Sequence, residues 1–108
     1  MMRLVPIDIE GRTALGAEVL LPGTTLLAIT IADGYIMCGA LDVGLLNERL
    51  KERRIIAGRA VGVRTFEQLL DAPLESVTDT ARSLGIVPGM TGRSALAVMA
   101  EAGDVRSP

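Results

Sequence analysis

The stretch GYIMCGALDVGLLNERLKERRIIAGRAVGV, residues 34–63, decides the fold, because the spacing of its apolar residues changes twice along its length. Tyr35 to Cys38 is a short apolar run directly after a turn signal and reads as a strand. After Asp42 the period becomes helical: Val43, Leu46 and Leu50 lie three and four apart, while Glu48, Arg49, Lys51 and Glu52 fill other positions. Asp42 is the expected N-cap, since its carboxylate can accept from free first-turn amides, and Lys51, Arg53 and Arg54 suit the opposite end of the dipole. Ile55 to Val63 is rich in β-branched and small residues, which predicts a strand returning parallel to the first through a right-handed crossover. These pieces make one β-α-β unit.

Upstream of that unit the chain reads as antiparallel β-structure. Val5, Ile7 and Ile9 alternate with Pro6 and Asp8, and Thr13, Leu15, Ala17, Val19 and Leu21 alternate with Ala14, Gly16, Glu18 and Leu20. Glu10-Gly11 and Pro22-Gly23 are the turns, and Asp33-Gly34 is the expected type I′ hairpin turn. Thr24 to Ala32 is apolar or Thr at nearly every position, so it should be covered on both faces, with Leu27 and Ile29 in contact with a partner subunit. Downstream, Thr65 and Gln68 form a capping box for a short helix from Phe66 to Leu70. Pro73 then opens a predicted helix with Leu74, Val77, Ala81 and Leu84 on one face, ended by Gly85. A last helix is expected around Arg93 to Ala102, and the tail 103–108 should fray. The expectation is an α+β fold in the order β-β-β-β-α-β-α-α-α, as one domain over residues 1–102 with a flexible tail.

Composition narrows the function classes. The 108 residues are 49% hydrophobic but only 2% aromatic, so the core must be aliphatic and thin, which favours further burial in a homo-oligomer. Eleven basic against thirteen acidic residues leave a formal charge of -2, so the general attraction that drives nucleic-acid binding is missing. The chain has no His, which removes Ser-His-Asp and Cys-His catalysis and most zinc sites. One Cys forms no internal disulfide, and Pro6, Asp8 and Glu10 break up the region where a secretory signal would be apolar. A cytoplasmic protein is expected. The longest uncharged run, between Glu18 and Asp33, is interrupted by Pro22-Gly23, so no membrane span is expected.

If the two parallel strands are neighbours, residues 38–42 and 59–65 converge at their carboxyl ends, where α/β sheets bind ligands. Arg59, Gly62, Arg64 and Thr65 are the candidate ligand-binding residues, with Arg64 and Thr65 donating to a carboxylate or phosphate near two helix starts. A plainer reading competes with each. Gly58, Ala60 and Gly62 alternate, which smooths one strand face for a helix to lie against it. Arg59 would then need a structural carboxylate, from Asp42 or Glu67. Cys38 and Asp42 are the catalytic candidates, but Cys38 has no His as base and sits among apolar residues that suit a buried thiol. Asp71, Glu75 and Asp79 read as a solvated helix face, and no metal-ligand spacing or cofactor motif is present.

The quoted stretch and its continuation RTFEQLLDAPLESVT, to Thr78, closely resemble the bacterial YunC-like proteins, catalogued as domain of unknown function 1805. The likeness extends more weakly over residues 4–100. The resemblance implies a small α+β domain whose N-terminal β region makes a tetramer, and it implies no reaction. Two functions stand open on the residues: a binding or regulatory module for a small anionic metabolite, and an enzyme using Cys38 or Asp42.

Overall fold

The computed structural model describes residues 1–39, 43–48 and 51–106. Four antiparallel strands come first: β1 (Met2–Ile9), β2 (Arg12–Leu21), β3 (Thr24–Ile31) and β4 (Gly34–Met37). Helix α1 (Val43–Glu48) and a 3-10 turn (Lys51–Arg53) lead to β5 (Ile56–Arg59), which pairs parallel to β4 as the sequence predicts. Then follow α2 (Phe66–Asp71), β6 (Ser76–Val77), α3 (Asp79–Ser83) and α4 (Gly92–Arg106). The six strands form one sheet in chain order, and the fold is α+β. Pro6 fits because β1 is an edge strand, where a missing N–H breaks no ladder.

The first two turns carry the chemistry read from them. Glu10 and Gly11 both have positive φ, 51° and 86°, as a type I′ loop requires, and Gly23 takes φ 78° after Pro22. The third turn departs from expectation. Ile31 pairs with Gly34, so the loop is Ala32-Asp33, and the positive φ of 52° falls on Ala32. Gly34 is instead a strand residue whose missing side chain admits α4: a Cβ there would lie 2.7 Å from Met99 Sδ and 3.1 Å from Ile56 Cγ2. The turn signal was a packing signal.

Alternation along the strands assigns the two sheet faces. Leu27, Ile29 and Ile31 of β3, Ile36 of β4 and Ile56 of β5 join Leu69 of α2, Ala81 of α3, and Leu96 and Met99 of α4 in the main core. Leu27 and Ile29 are therefore fully buried within the protein, which corrects their expected place in a subunit contact. On the opposite face α1 covers only the β4–β5 end, where Val43 and Leu46 pack on Ala57 beside Tyr35 and Met37. Over β1–β3 that second face has rows Met2-Val19-Leu26, Leu4-Ala17-Ala28 and Pro6-Leu15-Thr30, and Asp8, paired with Thr13 at the far end of β1, brings one charged side chain to it. Leu4 and Leu15 are 57% and 43% exposed there.

Further expectations are corrected downstream. The helix predicted from Pro73 to Leu84 is divided: Pro73 bridges to Thr91, Ser76 and Val77 pair with Arg59 and Gly58, and only Asp79–Ser83 is helical. Thr78 explains the break, since its hydroxyl accepts from Ala81 N as the α3 N-cap and so starts the helix late. The strand predicted from Ile55 to Val63 ends at Arg59, because the chain turns at Gly62 with φ 74°. Gly58 does allow a close approach, but of Leu74, whose Cδ1 would lie 2.8 Å from a Cβ, rather than of a helix. At α2, Thr65 caps Gln68 N as expected, whereas the Gln68 side chain accepts from Arg64 N, one residue before the cap. Helix α4 runs through Arg106, past the expected end at Ala102.

Candidate functional site

The carboxyl ends of the parallel strands β4 and β5 open on a cleft of about 720 Å³. Gly39 follows β4, Asn47 comes from α1, Arg59 ends β5, Glu75 and Ser76 lie at the edge strand β6, and Arg82 comes from α3. The local sequence explains this gathering. Arg59 pairs with Ser76 across the β5–β6 ladder, and Glu75 N donates to Arg59 O at 2.7 Å, so their three side chains share one sheet edge. Thr78 extends that ladder with its side chain: Oγ1 donates to Ile55 O at 2.7 Å and accepts from Ala57 N at 3.1 Å. Asn47 Oδ1 accepts from Asp79 N at 2.8 Å and ties α1 to the start of α3.

Arg59 is only partly satisfied. Its Nη1 lies 3.1 Å from Glu75 Oε2 and 3.5 Å from Oε1, so the carboxylate engages one guanidinium nitrogen. Its Nε is buried without a hydrogen-bond partner, and so is the Oγ of the facing Ser76. A buried donor left unpaired costs about 1–3 kcal/mol, so both atoms invite a group that the folded chain does not supply. Arg82 makes no ion pair among the described residues. Among the described residues the cleft is thus lined by two arginines and one carboxylate.

The sequence-predicted site residues do not all meet here. Arg59 lines the cleft, and its partner among the described residues is Glu75, not the expected Glu67. Glu75 therefore does not belong to a solvated helix face with Asp71 and Asp79, which stand in different elements. Gly62 and Arg64 border a separate depression of about 440 Å³ beside Thr24 and Thr25. Thr65 faces a third, with Glu67 and Gln68. The two helix starts do not converge, because α1 packs on one face of the sheet and α2 on the other. Cys38 is 6% exposed in the main core, its Sγ accepting from Leu27 N at 3.5 Å. Asp42 lies outside the described residues. Among the described residues no cluster of carboxylates and thiols is placed to hold a metal ion. Arg82, Ser76 and Asn47 were missed from sequence, and Ser76-Val77-Thr78, a β-compatible triplet ending in a cap residue, was the available signal.

The comparisons with known proteins rest on most of the chain. The profile of the domain of unknown function DUF1805 matches residues 37–99, which include Arg59, Glu75, Ser76 and Arg82. The chain belongs to the DUF1805 family. Within reach of that family is an uncharacterized protein YunC of Bacillus subtilis, 63% identical over 99 residues, covering 92% of this chain and 98% of that one. A crystal structure of a protein of unknown function from Thermoplasma acidophilum superposes with a TM-score of 0.82 at 30% identity, covering 92% of this chain and 93% of the other. Family membership fixes the fold and leaves the activity to the chemistry of the cleft.

Proposed function

We propose that this protein is a binding or regulatory module whose β4–β5 cleft takes a small anionic metabolite. The observation that carries the reading is the incomplete pairing of Arg59: Glu75 holds only Nη1, while Nε and the adjacent Ser76 hydroxyl have no acceptor or donor. An anion seated beside them and on Arg82 supplies oxygens to both guanidiniums. The competing enzyme reading is weaker, because the Cys38 thiol is enclosed by aliphatic side chains and the chain has no His to serve as its base.

We further propose that the module works as a homo-oligomer, the tetramer that the family resemblance implies, assembled through the second face of β1–β3. Its support is the apolar composition of the rows from Met2 to Pro6 across that face, which α1 leaves uncovered and where Asp8 at the end of β1 is the charged residue. A reducing compartment suits the lone, unpaired Cys38, and we place the protein in the cytoplasm. No helix among the described residues is long and apolar enough to cross a membrane.

Thermal-shift screening against carboxylated and phosphorylated metabolites tests the binding reading, since a ligand of the native state raises stability by mass action. At least one anion should stabilise the wild type and lose that effect in Arg82→Ala. A panel without any response overturns the reading.

A further inference from the structure

The charges in the cleft select among anions. Among the described residues its lining joins Arg59 and Arg82 with one carboxylate, Glu75, whose side chain is 44% exposed and pairs with Arg59 Nη1. A carboxylate has about four lone-pair sites, so Glu75 keeps acceptor capacity that one nitrogen does not use up. The remaining hydrogen-bonding groups are mostly donors. Asn47 has one acceptor position of its carbonyl oxygen taken by Asp79 N and offers its amide N–H groups, Arg82 and the Nε and Nη2 of Arg59 donate, and Ser76 carries a free hydroxyl. Among the described residues the cleft is rich in donors around one exposed carboxylate.

A purely anionic ligand, above all a phosphate dianion, gains the arginines and is repelled by Glu75. A ligand that carries an anion and a cation a few bonds apart satisfies all three charges. Resting on the anion-binding reading above, we propose that the metabolite is amphoteric, an α-amino acid held with its carboxylate on Arg82 and Arg59 and its ammonium on Glu75. Glu75 then has two roles: it steadies Arg59 in the empty cleft and discriminates amine-bearing acids from plain acids in the filled one. Its position suits both, because its backbone N–H is fixed to Arg59 O while its carboxylate reaches solvent.

Calorimetric titration of the intact protein with the α-amino acids tests this, each compared with its 2-hydroxy and N-acetyl analogues, which keep the carboxylate and lose the ammonium. The wild type should bind at least one amino acid about tenfold or more tightly than either analogue. In Glu75→Gln the preference should collapse from both sides: the amino acid weakens, and the 2-hydroxy acid tightens because the repelling charge is gone and Arg59 is released. The analogue comparison in the wild type needs no variant, so it stands even if Glu75→Gln folds poorly. Equal binding of an amino acid and its 2-hydroxy analogue, a preference that survives in folded Glu75→Gln, or binding of phosphates alone overturns the amphoteric ligand and leaves the anion site standing. Failure of every acid and phosphate to bind overturns both.

Discussion

Thr78→Val removes one hydroxyl and tests how the cleft is held together. Thr78 is 2% exposed, and its Oγ1 makes three hydrogen bonds, to Ile55 O, from Ala57 N and from Ala81 N. Ala57 O accepts from Thr78 N, so the Ala57 N–H points to the same side of the strand and has the Thr78 hydroxyl as its acceptor there. Valine keeps the shape and strands two buried donors. At about 1–3 kcal/mol for each buried unpaired group, with the partly buried Ile55 end open to water, the loss should be about 2–6 kcal/mol. Urea denaturation at fixed protein concentration should show a lower midpoint with an unchanged slope. Thr78→Ser keeps the hydroxyl and should lose less than about 1.5 kcal/mol. A Thr78→Val protein within about 0.5 kcal/mol of wild type would refute the claim that this hydroxyl joins β5 to α3.

Other substitutions test separate parts of the account. Leu15→Lys, on the uncovered sheet face, should dissociate the assembly in sedimentation equilibrium with secondary structure retained, whereas Leu27→Lys should unfold the chain. A wild type that sediments as a monomer contradicts the oligomer. Gly34→Ala should cost about 1–3 kcal/mol, because the added methyl meets the buried side chains of Met99 and Ile56, and a thermal melt will show it. Native Cys38 should resist iodoacetamide and react once the chain is denatured, with rapid native alkylation reviving the enzyme reading.

Hydrophobic period was enough for the long elements. Alternation in residues 5–21 and the nearly unbroken apolar-or-Thr run from Thr24 to Ala32 pointed to three antiparallel strands, and the change to helical spacing after Asp42 pointed to a parallel return of β5 to β4. It failed where tertiary contacts decide the local structure. Leu74, Val77, Ala81 and Leu84 do keep helical spacing, but pairing of Ser76-Val77 with β5 and the Thr78 cap outweigh it. Gly34 carried a packing signal that was assigned to a turn, and Gly58 a close approach that was assigned to a helix, since their neighbours, Met99 and Leu74, are distant in sequence or beyond any periodic pattern. For the site, Arg59 was legible as an arginine of the parallel strand, which ends at it rather than at Val63. Arg64 and Thr65 were drawn to it by sequence proximity, although the turn at Gly62 carries them to other depressions. Arg82 and Asn47 reach the cleft only through the docking of α3 and α1, which a single sequence does not display.

Parallel titration of Arg82→Ala and Arg64→Ala with the anion that most stabilises the wild type tests the central claim most directly. Arg82→Ala should weaken that ligand about tenfold or more, as expected for loss of a charged hydrogen-bonding partner, while Arg64→Ala binds like wild type. Loss of affinity in Arg64→Ala with Arg82→Ala unaffected would move the site to the depression beside Thr24 and contradict the account.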